Sequence, residues 1–246
     1  MSGHSKWSTI KHKKGAADAK RGKLFTRIIK EMTVAAREGG GNVDSNARLR
    51  KAVDDAKAAN MPADNIKRAV QRGTGELPGV HYEEISYEGY GPGGAALFVE
   101  ALTDNKNRTL PEIRNLFSKH GGNLGENGCV RFMFDKKGYL AVEREKITED
   151  RMMEIALEAG ADDLSTDDPD VYEIYTSSES FHDVKKKLEE KGVPIASSEL
   201  TMLPQTPVKL DDAKAAQLLK LMEAIEEHED VQNVWTTAEL QESQMA

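Results

Sequence analysis

The chain has a single cysteine, Cys129, among 246 residues, so no disulfide can close within it. Its six histidines stand apart at 4, 12, 81, 120, 182 and 228, and no Cys/His group has zinc-ligand spacing. Long apolar runs are also missing. The best, Ala95 to Leu102, is interrupted by Glu100 and is far too short to span a membrane. The opening Met-Ser-Gly-His-Ser-Lys-Trp lacks the apolar stretch of a secretory signal. These absences predict a cytoplasmic protein that needs no metal or other cofactor and makes no membrane contact.

The residues of an active site are equally sparse. Catalysis calls for a nucleophile beside a base, or paired carboxylates in a cleft. Cys129, at the start of a predicted strand, reads as a small core residue. The carboxylates are spread along solvated helix faces. The glycine-rich run 89–94 lacks the Lys-Ser/Thr ending of a phosphate loop and precedes a strand, so it reads as a turn. The run 121–128 follows a helix, the wrong order for a dinucleotide site. Lys137-Gly138-Tyr139 opens like an RNA-recognition strand, but Leu140 and Ala141 stand where stacking aromatics belong. No enzyme and no small-molecule substrate is expected.

What the chain does have is charge of one sign at one end. Residues 1–75 carry 17 Lys/Arg against 7 Asp/Glu, a balance of +10, whereas the remainder balances at -18. Such asymmetry points to a polyanionic partner for the basic part. Lys6, Lys11, Lys13, Lys14, Lys20, Arg21, Lys23, Arg27 and Lys30 are spaced so that several share a helix face. They are the candidate phosphate contacts, and cations on phosphate make binding strongly salt-dependent. Trp7 and His12 can stack on a base or sugar; Trp7 can equally anchor the arm to the protein. Arg48, Arg50, Lys51, Lys67, Arg68 and Arg72 add charge on later helices. Phosphate contacts position a protein without reading sequence.

The order of elements predicts an α+β chain: an N-terminal three-helix bundle followed by two ferredoxin-like α/β domains. Residues 1 to about 23 read as a basic arm. A first helix carries Leu24, Ile28, Met32 and Ala35 and stops at Gly39-Gly40-Gly41. A second is capped by Asp44 or Ser45, and a third starts at Pro62. Strands at 85–87 and 96–102 flank the glycine-rich turn. Thr109 and Glu112 form a capping box ahead of a helix bearing Ile113, Leu116 and Phe117. A strand through Val130, Phe132 and Phe134 turns at 136–138 into another, Tyr139 to Glu143. The order strand, helix, two strands, helix, strand over 139–203 is that of a ferredoxin-like plait. Linker 204–207, the longest helix and a last strand, Val231 to Thr236, supply what the unit beginning near Val80 lacks. The expected division is therefore 1–78, a discontinuous domain of 79–138 plus 204–246, and an inserted domain of 139–203. The stretch Asn105, Lys106, Asn107, Arg108, ahead of the capped helix, is a second candidate surface because helix N-termini attract anions.

Several motifs resemble the YebC/PmpR family, which includes mitochondrial translational activators. They are Gly3-His4-Ser5-Lys6-Trp7, Lys20-Arg21-Gly22-Lys23, Gly39-Gly40-Gly41, Asn60-Met61-Pro62, the run Tyr87 to Gly94, Thr103 to Thr109, and Gly121 to Gly125. The match runs nearly end to end in one order. The resemblance implies three domains, one helical and two α/β. It also implies either a DNA-binding transcriptional regulator or a translation factor on ribosomal RNA that acts at proline-rich stalls.

Overall fold

The structure is a computed structural model and describes residues 18–240 and residue 244, with side chains from Gly22 onward. The first helix, α1, spans Asp18–Gly39, so it begins before Leu24 and takes in Lys20 and Arg21. Ile28, Met32, Ala35 and Ala36 form its buried stripe. Helix α2 (Ala47–Ala58) is capped by Asn46, not by Asp44 or Ser45. The Asn46 carboxamide oxygen accepts from Leu49 N at 3.0 Å. Its Nδ2 donates to the carbonyls of Ala35 (2.7 Å) and Gly40 (2.8 Å) at the end of α1. One buried side chain thus caps two helix ends, which neither neighbouring candidate is placed to do. Helix α3 (Ala63–Gly73) follows Pro62. Gly73 lets α3 approach α1 closely: a Cβ there would lie 2.4 Å from Thr33 O and 2.7 Å from Ala36 Cβ.

The second layer is an antiparallel sheet built from β1 (Glu83–Tyr90), β2 (Ala96–Thr103), β3 (Asn123–Leu124) and β9 (Val231–Thr236), in the order β3-β1-β2-β9. Alternation along each strand gives two faces. On one, Leu97, Val99 and Val234 pack against Ile113 and Phe117 of α4 (Lys106–Lys119) and Leu218 and Met222 of α7 (Asp212–Glu226). On the other, Phe98 stacks on Trp235 at 5.8 Å and meets Val130, Phe134 and Met202. Residues 131–133 form a 3-10 turn, and Phe132 is 66% exposed. The expected strand through Val130 and Phe132 is absent because the Glu88 carboxylate gathers this backbone into a loop. It accepts from the amides of Gly128, Val130 and Arg131 at 2.7–2.8 Å.

One continuous strand, β4 (Phe134–Glu143), runs straight through the expected turn at 136–138. It pairs with β6 (Val171–Ser177) and β7 (Ile195–Pro204), and β5 (Asp163–Ser165) lies beyond β6. The order β5-β6-β4-β7, all antiparallel, is that of the predicted plait. Helices α5 (Glu149–Ala159) and α6 (Phe181–Glu190) cover one face over Leu140, Val142, Tyr172 and Ile174. Gly138 has no room for a side chain, since a Cβ would meet Thr176 Oγ1 at 2.2 Å and Phe181 Cδ2 at 2.5 Å. The short strands β8 (Val208–Lys209) and β10 (Ala238–Glu239) pair in parallel beside the main sheet. The architecture is α+β: N-terminal helices, then two sheet units.

Candidate nucleic-acid interface

Lys6, Trp7, Lys11, His12, Lys13 and Lys14 lie outside the described residues, as do the side chains of Lys20 and Arg21. The remaining predicted cations divide into those that face water and those that face the protein. Lys23 is exposed on α1. Lys67, Arg68 and Arg72 are exposed on α3, with Arg68 and Arg72 four positions apart and so on one face. Among the described residues, Arg68 donates only to its own helix, to Asn65 Oδ1 at 2.8 Å and Asp64 O at 3.3 Å. Among the described residues, Lys23, Lys67 and Arg72 form no ion pair, so their charge is available to a ligand. Lys51 and Lys57 sit on the outer face of α2 with local partners, Asp55 at 2.8 Å and Asp54 at 3.6 Å. Exposed helix pairs of this kind are weak and yield readily to a phosphate.

Arg27 and Lys30 turn the other way, into the junction between the helices and the main sheet. Arg27 donates to the carbonyl of Gln232 on β9, and burial lowers its pKa against the opposing pull of Glu226. Lys30 is 5% exposed; its ammonium donates to Asp230 Oδ1 at 2.5 Å and Glu229 O at 3.0 Å, and lies 5.5 Å from the centre of the Tyr82 ring. Arg37 and Arg48 act in the same junction. Arg37 reaches the carbonyls of Val80 and Tyr82. Arg48 joins Glu31 and Glu38 of its own bundle to Glu84 of β1. Burial alone would lower the Arg48 pKa, but the carboxylates of Glu31 and Glu84 overcome it and hold the guanidinium charged.

The second predicted surface converges on the same carboxylate. Asn105 is the N-cap of α4, accepting from Arg108 N at 3.1 Å, so the helix starts three residues before the expected capping box. Residues 106–108 are its first turn rather than a loop. Lys106 pairs with Glu83, and Asn107 is exposed. Arg108 donates to Asp104 at 3.1 Å and to Asp230 Oδ2 at 2.8 Å. Thr109, freed from a capping role, donates to Asp230 Oδ2 at 2.7 Å, and Thr103 lies 3.1 Å from the same oxygen.

Asp230 is fully buried yet accounts for both its oxygens through Lys30, Arg108 and two threonines. Burial alone would raise its pKa. Hydrogen bonds from Lys30, Arg108 and Thr109 outweigh that and hold the carboxyl well below the usual carboxylate range. Its backbone amide donates to His228 Nδ1 at 3.1 Å, which places the imidazole proton on Nε2, facing Glu112 at 2.8 Å. The arrangement fastens the helical head to the body. Sequence reasoning did not find Asp230. Its partners Thr103, Arg108 and Thr109 all lie in one of the quoted motifs, whereas Asp230 itself stands in a plain acidic stretch.

A three-part α+β protein with a basic helical head clamped to an anionic body is the class that fold and junction define. Residues 5–76 match the family model described as the TACO1/YebC protein N-terminal domain, and residues 82–238 match that of the TACO1/YebC second and third domain. The chain belongs to the TACO1/YebC family. It is 58% identical over 243 residues to a protein of Desulfosudis oleivorans, covering 99% of this chain and 98% of that one. It is 57% identical over 245 residues to one of Geobacter sulfurreducens, covering 100% and 98%. Both relatives bear the name "probable transcriptional regulatory protein". A solved structure, that of a conserved hypothetical protein from Aquifex aeolicus, superposes with a TM-score of 0.81 at 47% identity, covering 92% of this chain and 93% of that one.

Proposed function

We propose that this protein is a non-enzymatic regulatory factor of the cytoplasm that grips a nucleic-acid backbone with its helical head. The observation that carries the proposal is the set of solvent-facing cations on the head: Lys67, Arg68 and Arg72 on α3, with Lys23 on α1. They belong to a segment with ten more positive than negative residues. Lys6, Lys11, Lys13, Lys14, Lys20 and Arg21 extend that set, with Trp7 and His12 as stacking residues. Lysine and arginine facing water suit contact with a phosphate backbone, which positions a protein on its polymer. Given the names of the relatives, the polymer in the first reading is promoter DNA. We assign the head to residues 1–78, and the body to a discontinuous domain of 79–138 plus 204–246 with 139–203 inserted.

A second reading is favoured by one feature, the clamp through Asp230. It holds the cationic head fixed against the remainder of the chain, where residues 76–246 balance at -18. Such a body is repelled by a long bare duplex but is accommodated where RNA and basic proteins alternate, as on a ribosome. Crosslinking in cells, followed by sequencing of bound DNA and bound RNA, separates the two. Promoter fragments identify a transcriptional regulator, ribosomal RNA identifies a translation factor, and recovery of neither overturns both.

A further inference from the structure

Among the described residues, only two aromatic side chains are exposed, Tyr90 at 37% and Phe132 at 66%. The fold brings both to one loop. Tyr90 ends β1, and its hydroxyl donates to the carbonyl of Cys129 at 3.2 Å. Phe132 follows three residues later, on the 3-10 turn 131–133. Its neighbours Val130, Met133 and Phe134 pack into the cluster around Phe98 and Trp235, whereas Phe132 is turned out. The backbone beneath it is held in place. The Glu88 side chain, on a residue 3% exposed, accepts from the amides of Gly128, Val130 and Arg131. The Glu88 carbonyl accepts from Gly125 N at 2.8 Å.

The charge around this loop has the opposite sign to its surroundings. Residues 106–137 carry 7 Lys/Arg against 3 Asp/Glu, a balance of +4, although residues 76–246 as a whole balance at -18. The Arg131 guanidinium lies 5.6 Å from the centre of the Phe98 ring, and Lys136 is exposed on β4. Lys119, also exposed, closes α4 four residues before Asn123, the register partner of Tyr90. Among the described residues, none of these three cations forms an ion pair. The acidic residues nearest Phe132 in the chain are Glu126 and Asp135, and Asp135 already accepts from Gln205 Nε2 at 3.0 Å. Rings facing water beside unpaired cations suit a single-stranded nucleic acid, whose bases stack while its phosphates meet the charge. A ring on a fixed backbone loses little freedom when it stacks. Bases inside a duplex offer no free face, so the ligand is a strand with unpaired bases.

We propose that Phe132, with Tyr90 beside it, stacks on an unpaired base of the polymer whose backbone the head grips. This rests on the nucleic-acid reading above and narrows it to a polymer that is single-stranded where it meets the loop. β1 runs from Glu84, which Arg48 of the head engages, to Tyr90, on the order of 20 Å along the sheet. Two contacts so placed reinforce each other, because the first raises the effective concentration of the second.

The test uses the full-length protein and single strands of RNA and DNA of about 16 nucleotides in one mixed sequence, with their duplexes. Fluorescence anisotropy reads the affinity for each. Phe132→Ala should weaken single-strand binding about fivefold or more and leave duplex binding unchanged. Phe132→Trp should bind like the wild type, whereas Phe132→Leu, apolar but without a π face, should bind like Phe132→Ala. The tighter of the two single strands names the polymer. Ultraviolet crosslinking of the wild type should leave a nucleotide on the tryptic peptide 132–136. Unchanged single-strand affinity in Phe132→Ala overturns the inference, and so does an equal loss on duplexes or wild-type binding by Phe132→Leu. Should Phe132→Ala melt early, the crosslink decides, and its absence overturns the site. If glutamine at Lys67, Arg68 and Arg72 weakens binding and Phe132→Ala does not, the functional reading stands and this site falls. The reverse result keeps the site and sinks the reading of the head. A wild-type protein that binds none of the probes overturns both.

Discussion

Lys30 and Asp230, 200 residues apart in sequence, meet as a charged pair with 7% and 0% of their side chains exposed. Removing one member leaves the other charged and buried, at a cost of about 3–5 kcal/mol. Asp230 also receives Arg108 and Thr109. Asp230→Ala should therefore lower unfolding free energy more than Lys30→Met does, measured by urea denaturation. Equal or negligible losses would show that the junction does not depend on this carboxylate.

Acid should loosen the same junction. Asp230 has a folded-state pKa depressed below its unfolded value. The folded form therefore binds fewer protons, and the stabilisation is complete above the unfolded pKa of about 4. As pH falls from there through the folded value, it is lost. Urea midpoints of the native protein should thus drop steeply below about pH 4. In Asp230→Asn the drop should be shallower, because that proton uptake is gone. Parallel curves for the two proteins would refute this account.

Exposed and buried cations of the head should behave differently when substituted. Replacing Lys67, Arg68 and Arg72 with glutamine should change stability by no more than about 0.5 kcal/mol at each site. The slope of log affinity against log salt should shrink by about 1 for each phosphate contact removed. Fluorescence anisotropy on a labelled oligonucleotide across a salt series reads this. An unchanged slope would place the interface elsewhere.

Close approach of α1 and α3 depends on Gly73. A methyl group there meets backbone, which cannot rotate away, so Gly73→Ala should destabilise the head by about 1–3 kcal/mol. Hydrogen exchange should show the loss in residues 24–73 and spare the plait. Uniform loss across the chain would mean that head and body unfold as one unit.

Elements whose signal is local were legible in the sequence. The stripes of Ile28, Met32 and Ala35 and of Leu218, Met222 and Ile225 became helices with those residues inward. The order of elements over 139–203 became a plait. Caps were read less well, since Asp44, Ser45 and Thr109 carry side-chain oxygens that can accept from a helix's first amides just as Asn46 and Asn105 do, and chain position alone does not rank them. The strand through Phe132 failed because a carboxylate 40 or more positions earlier, on Glu88, organises that backbone. Charge was read as composition, and composition cannot say which cation meets a distant anion. Lys23 and Lys30 look alike in the sequence; one faces solvent and the other is closed in by Asp230.

The clamp has a mechanical corollary. A head tied at Gln232, Asp230 and Glu84 behaves as a bracket rather than a pendulum. Under the proposed function, with α3 laid along a strand of phosphates, the heading of the plait is set by where the head lands. The distal unit would then point at a fixed bearing from that place and gauge what lies beside it.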